Sequence, residues 1–237
     1  MIDHTARAFD ADLQQLALKI AEMGRLDGTQ IAQAIEALVM RDTALAKRVI
    51  AADDQVDALQ RKIEERAIIT IARRQPMAVD LREIVGALRI ANDLERVGDL
   101  AENIAKRVAL LTHEFRIDEV VLQLQRMVQL VLNQLTRVLQ SYERRDVAEA
   151  LEVWRGDQEV DALNNSLFRE MLTYMMEHPR NITFCTHLLF CAKNVERMGD
   201  HTTNIAETVY YVVEGRQLKE EHPKADVTSR EALPMPS

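Results

Sequence analysis

Turn-forming residues are scarce in this sequence. Its 237 residues include seven glycines and five prolines, about 3% and 2% against typical usage near 7% and 5%. Pro223, Pro234 and Pro236 fall in the last fifteen residues, so the first 222 hold only Pro76 and Pro179. A sheet-rich fold needs turn signals about every 8–12 residues, and this chain does not supply them. The scarcity leaves room only for a few long helices.

Other absences narrow the class further. Lys and Arg number 30 against 38 Asp and Glu, a net charge of −8. With no basic tail, basic helix face or Lys/Arg block, nucleic-acid binding is disfavoured. The opening MIDHTARAFDADL is acidic and lacks the apolar segment of a signal peptide. No uncharged apolar run approaches the ~18 residues of a membrane span. Cys185 and Cys191 are six apart, neither a CxxC pair nor a disulfide framework. They read as buried small hydrophobes in a reducing cytosol. The apolar fraction of 47% is enough for a core. The expectation is a cytoplasmic, all-α protein.

Helical periods run along most of the chain. Phe9, Leu13, Leu16, Ile20 and Met23 start the first stripe, and Ile31, Ile35 and Leu38 resume it. Gly24 and Gly28 lie between, which predicts a kink or a break there. Arg41-Asp42 is a stop followed by an N-cap. A second helix is expected over about 43–74, ending ahead of Pro76. A third is expected over about 77–112 and a fourth after His113-Glu114. The fourth carries Val121, Leu124, Val128, Val131, Leu135 and Val138. Arg145-Asp146 repeats the stop and cap, a fifth helix runs to about 177, and a sixth follows Pro179 to near Gly215.

These elements repeat. Asp42 and Asp146 are 104 residues apart, and Pro76 and Pro179 are 103 apart. ANDLERVGDLAENIA at 91–105 and AKNVERMGDHTTNIA at 192–206 share eight of fifteen residues. A tandem duplication of a three-helix unit follows, and with it two packed three-helix bundles. The expected divisions are a first repeat over 1–114, a second over 115–215, and a polar, disordered tail over 216–237.

Four acidic pairs share one spacing: Asp53/Asp57, Glu95/Asp99, Asp157/Asp161 and Glu196/Asp200. Residues at i and i+4 share a helix face, and a solvated charged face is the ordinary reading of one such pair. Three observations argue for more. The pairs continue apolar stripes: Ala46 and Val49 lead to Asp53, Leu88 and Ala91 to Glu95, Ala150 and Val153 to Asp157, and Leu189 and Ala192 to Glu196. Folding each hairpin antiparallel about its proline sets the pairs level. Asp57 and Glu95 are each 19 residues from Pro76, and Asp53 and Asp99 are each 23. Around Pro179, Asp161 and Glu196 lie 18 and 17 away, and Asp157 and Asp200 lie 22 and 21. Finally, two unit charges 4 Å apart repel by ~4 kcal/mol at an effective dielectric near 20. Such clusters must hold protons or cations.

An all-oxygen donor set suits iron, manganese, magnesium or calcium and disfavours structural zinc. The eight acids are therefore candidate metal ligands. Gly98 and Gly199 sit mid-helix inside the motif at a cost of about 1 kcal/mol each, and make room either for a cluster or for a neighbouring helix. Arg96 and Arg197 are placed to neutralise adjacent carboxylates. Asn103 and Asn204 read as water-holding groups or as satisfied core residues. His201 follows a candidate ligand but points about 100° around the helix. No Gly-rich phosphate loop, HExxH, GxSxG or ExxH is present, so no catalytic or cofactor-binding residue is assigned. A carboxylate-bridged metal enzyme, a metal store and a metal-free scaffold remain open on these residues.

The doubled ERxGDxxxNIA, Asp80-Leu81-Arg82 shortly after Gln75-Pro76, and the opening FDxDL with Met23-Gly24 resemble the PhoU family of bacterial phosphate-signalling accessory proteins. The resemblance runs from about residue 4 to 215. It implies two pseudo-symmetric three-helix bundles with multinuclear metal clusters on the E(D)xxxD motifs, carried here by all eight acids above. It also implies a non-enzymatic negative regulator of the phosphate-starvation response, linking PstB, the ATPase of the phosphate ABC transporter, to the sensor kinase PhoR. A second copy of the chain is a further expected partner. Because Ala101-Glu102 faces Thr202-Thr203 in the alignment of repeats, the two clusters need not hold the same number of ions.

Overall fold

The computed structural model describes residues 2–111 and 118–218. Helices α1 (Ile2–Met40), α2 (Thr43–Arg74) and α3 (Val79–Val108) form one bundle. Helices α4 (Asp118–Arg144), α5 (Val147–Glu177) and α6 (Ile182–Glu214) form the other, with a single 3₁₀ turn at Pro179–Asn181. No strand occurs among the described residues, so the fold is the expected pair of duplicated all-α bundles. The expected boundary at 114/115 and nearly all of the expected tail lie outside the described residues.

The caps form where the sequence puts them. Asp42 Oδ1 accepts from the amides of Ala44 and Leu45, both at 2.9 Å, and Asp146 Oδ1 accepts from the Glu149 amide at 3.1 Å. Such a cap is worth about 1 kcal/mol. The residue before each cap turns the chain through left-handed backbone, Arg41 at φ 54° and Arg145 at φ 56°. Each of these arginines then crosses to the other repeat. Arg41 lies over the Phe184 ring, 6.0 Å from its centroid, and Arg145 pairs with Glu83 at 2.8 Å. Positions 83 and 184 are equivalent in the duplication, so one pseudo-symmetric contact is a cation–π pair on one side and an ion pair on the other.

The first helix runs unbroken through Gly24 and Gly28. Gly24 serves close approach: a Cβ there would sit 2.1 Å from Leu139 Cδ1 of α4. The third helix is shorter than expected and ends at Val108.

Helices α3 and α6 pack antiparallel along the seam between repeats. A Cβ at Gly86 would meet Val212 Cγ2 at 2.3 Å, Arg89 lies over Tyr211, and Arg107 lies over Phe190 and reaches His187 Nδ1 at 3.3 Å. This register sets Gly98 level with Gly199. Cys185 and Cys191 are free and fully buried, and desolvation pushes the Cys191 thiol up to about 12.

Candidate metal centre

The first-repeat cluster is built from three helices. Asp53 on α2 and Asp99 and Glu102 on α3 each offer an oxygen, and these three oxygens lie within 4.8 Å of one another. Asp53 and Asp99 were expected to be level by counting from Pro76. Glu102 was not among the expected residues, although it lies one turn beyond Asp99 on the same face. Glu95 is half-buried on the same helix face as Asp99. Asp57 is more peripheral, with its carboxylate 3.5 Å from Arg61. Arg96 stands at the mouth, 2.9 Å from Asp99 Oδ2 and 3.3 Å from Glu95 Oε2. The Glu95 contact lacks hydrogen-bond geometry, so that buried oxygen has no hydrogen-bond partner. Lys106 pairs with Glu102.

From α1, the sequence reading missed Asp27 and Gln30. Asp27 is 0% exposed and Gln30 3%. Neither Asp27 oxygen nor the Gln30 side-chain carbonyl has a hydrogen-bond partner among the described residues. Gly98 shows where they point. A Cβ there would sit 3.2 Å from Asp53 Oδ1 and 3.4 Å from both Asp27 Oδ1 and Gln30 Oε1. The glycine leaves space for carboxylate and amide oxygens, where the sequence had left a neighbouring helix as an alternative.

The second-repeat acids lie deeper, but among the described residues no three of them bring oxygens within 4.8 Å of one another as Asp53, Asp99 and Glu102 do. Asp157, Asp161 and Glu196 are 2%, 3% and 4% exposed, while Asp200 is half-buried. Lys193 donates to Glu196 Oε1 at 2.7 Å, and Glu196 Oε2 is buried without a hydrogen bond. Gly199 again faces a carboxylate, since its Cβ would lie 2.7 Å from Asp157 Oδ1. Thr203, in the place of Glu102, donates to the Gly199 carbonyl at 3.1 Å.

Burial and mutual repulsion hold several of these acids toward their neutral forms. Asp53 is raised to about 6, first by desolvation and then by Glu102, Asp99, Asp57 and Glu95. Asp27 is raised well above its ordinary range by burial, then by Asp53 and Glu95. Glu95 and Glu196 are also raised, mainly by burial. A group with a raised acidic pKa binds more protons folded than unfolded, so stability falls as pH rises between its two values. The metal-free chain should therefore lose thermal stability between the ordinary aspartate value of 3.8 and about 6. Melting curves across that window check this, and Asp53→Asn should flatten the slope. A flat or rising profile in the wild type contradicts the arrangement.

The surrounding polar residues divide clearly. His201 Nδ1 lies 3.0 Å from Asp93 Oδ1 across the seam, and Asn204 donates to the same oxygen at 3.3 Å. Asn103 and Asn204 are exposed, which removes the core reading of both. The first-repeat cluster, with the buried, unsatisfied Asp27 and Gln30 oxygens facing Gly98, suits a hard cation. Asp53, Asp99 and Glu102 would hold it, while Asp157, Asp161, Glu196 and Asp200 remain the expected second-repeat ligands without a gathered site among the described residues.

Comparison with known proteins agrees with the duplication. The PhoU domain family model matches residues 20–108 and again 124–209. A phosphate-specific transport system accessory protein PhoU homolog of Rhizobium meliloti (strain 1021) is 53% identical over 226 residues, 95% of each chain. Its namesake in Caulobacter vibrioides (strain NA1000 / CB15N) is 46% identical over 230 residues, covering 97% of this chain and 100% of that protein. The crystal structure of PhoU from Pseudomonas aeruginosa superposes with a TM-score of 0.84 at 36% identity, covering 88% of this chain and 100% of that one. The phosphate transport system regulatory protein PhoU from Streptococcus pneumoniae gives a TM-score of 0.84 at 27% identity, covering 90% and 100%.

Proposed function

The chain belongs to the PhoU family, and from that premise we propose that it is a cytoplasmic adaptor that reports phosphate supply from transporter to kinase. Membership makes it an accessory protein of phosphate transport. The finer reading is that it contacts the transporter ATPase PstB and the sensor kinase PhoR. It holds the kinase inhibitory while phosphate is plentiful and restrains uptake. The observation that carries this reading is the doubled ERxGDxxxNIA within a family match over both repeats.

Two features accord with an adaptor. Among the described residues the first-repeat group gathers carboxylates with no cysteine or histidine in it, and the His201 imidazole is held by Asp93. Large apolar side chains are exposed at both hairpin tips, Met77 and Val79 at one and Met176 and Ile182 at the other, as protein-docking surfaces require. No described helix is long and apolar enough to cross a membrane. Iron, manganese or magnesium on the clusters would neutralise the carboxylates and fix α2 against α3 and α5 against α6. The working unit in this reading is a homodimer.

A pull-down with the full chain as bait tests the proposal. Capture of PstB or PhoR should change at least several-fold between phosphate-replete and phosphate-starved extracts. Equal or absent capture in both, with repression unaltered when the chain is deleted, would sink it. Turnover that requires Glu95 and Glu196 would favour a metal-dependent enzyme instead.

A further inference from the structure

We propose that Asp27 of α1 is an inner ligand of the first-repeat cation site, and that this site and its second-repeat counterpart are chemically unequal. The inference rests on the reading that the clusters hold cations. Asp27 is fully buried, and neither of its oxygens has a hydrogen bond among the described residues. Buried carboxylates are normally paired or bound to metal. No described residue donates to either oxygen of Asp27. Around the Gly98 Cβ position its Oδ1 is accompanied by Asp53 Oδ1 and Gln30 Oε1, and an amide carbonyl accepts without donating. Three convergent acceptor oxygens are arranged as a hard cation requires.

The duplication then supplies an internal comparison. Asp27 lies 15 residues before the capping Asp42, and the residue 15 before Asp146 is Val131, also fully buried. Glu102 lies three residues past Asp99, and the residue three past Asp200 is Thr203, whose hydroxyl bonds back to its own helix. Gln30 has a counterpart in the buried Gln134. The first site therefore carries two carboxylates that the second lacks, one from each of two helices. Higher ligand charge predicts tighter and more numerous binding of small, hard cations there.

The full chain, stripped with chelator and titrated with Mn²⁺ alone, distinguishes the outcomes by calorimetry and bound-ion count. The wild type should show two classes of site. Asp27→Asn, which keeps the side chain's size, should weaken the tighter class at least 10-fold and leave the weaker one intact. Asp157→Asn should do the reverse. Asp27→Val copies the residue around which the second repeat already folds, so it serves as a second variant, and it should also raise the Tm of the metal-free chain. If both Asp27 variants bind Mn²⁺ as the wild type does, Asp27 is no ligand and the inference fails while the cation reading stands. A wild-type chain that takes up no Mn²⁺ overturns the cation reading, and this inference with it.

Discussion

Adding Mn²⁺ to the chelator-stripped chain, at about 100 times its dissociation constant, is expected to raise Tm by about 10–20 °C. A ligand that binds only the folded state at that excess stabilises it by about 2.7 kcal/mol per site. Two sites act, and for a chain of this size each kcal/mol moves Tm by about 2–4 °C. The unfolded chain cannot compete well. Its acids are spread over five helices, α1, α2, α3, α5 and α6, and lose their convergence when those helices separate. Sodium chloride at equal ionic strength is the control. Salt screens exposed charges over about 10 Å at 0.1 M but reaches buried ones weakly. Asp157, Asp161 and Glu196 are at most 4% exposed, so salt should reproduce only a small part of the gain. A Mn²⁺ shift no larger than the salt shift would remove the metal from this fold's stability.

The sequence shows much of this arrangement, because the duplication exposes whatever both repeats carry. The prolines at 76 and 179 act as matched hinges, and counting from Pro76 sets Asp53 level with Asp99. The two oxygens do lie in one cluster. The same filter hides what only one repeat carries. Asp27 interrupts an apolar stripe made of Leu16, Ile20, Met23 and Ile31, yet Val131 occupies its place in the second repeat, so comparing the repeats passes over it. Glu102 against Thr203 does show as a difference between the repeats, but it falls outside the shared E(D)xxxD spacing and so is not assigned as a ligand from sequence. For Asp27 the signal was a lone acid at a core position, and its weight becomes clear only when burial and missing partners are seen. Gly24 shows a different limit. A glycine in a helical pattern reads as a breaker, but contact with Leu139 gives it a packing role that depends on α4. The Asp93–His201 contact joins residues 108 apart, and no local spacing encodes it.

The variant Asp53→Asn, Glu95→Gln, Asp157→Asn, Glu196→Gln removes one charge from each acidic pair, and its metal-free form should melt higher than the metal-free wild type. Most substitutions at buried positions destabilise by about 0.5–3 kcal/mol, so the expected sign is unusual. It follows from the raised carboxyl groups: folding forces Asp53, Glu95 and Glu196 toward protonation above their ordinary range. Amides of the same shape avoid that cost. Two charges 4 Å apart repel by ~4 kcal/mol at an effective dielectric near 20. Partial exposure of the first cluster and residual protonation reduce this to a net gain of about 2–4 kcal/mol, or about 4–16 °C in Tm. The variant should also lose its melting response to Mn²⁺, which separates relief of repulsion from any general improvement in packing. In cells, the adaptor reading expects the same variant to leave phosphate-starvation genes expressed when phosphate is plentiful, despite its greater intrinsic stability. Stability and regulation would then move in opposite directions in one protein. A bundle whose acids are merely tolerated has no reason to behave that way, whereas one that folds around cations to present a regulatory surface must.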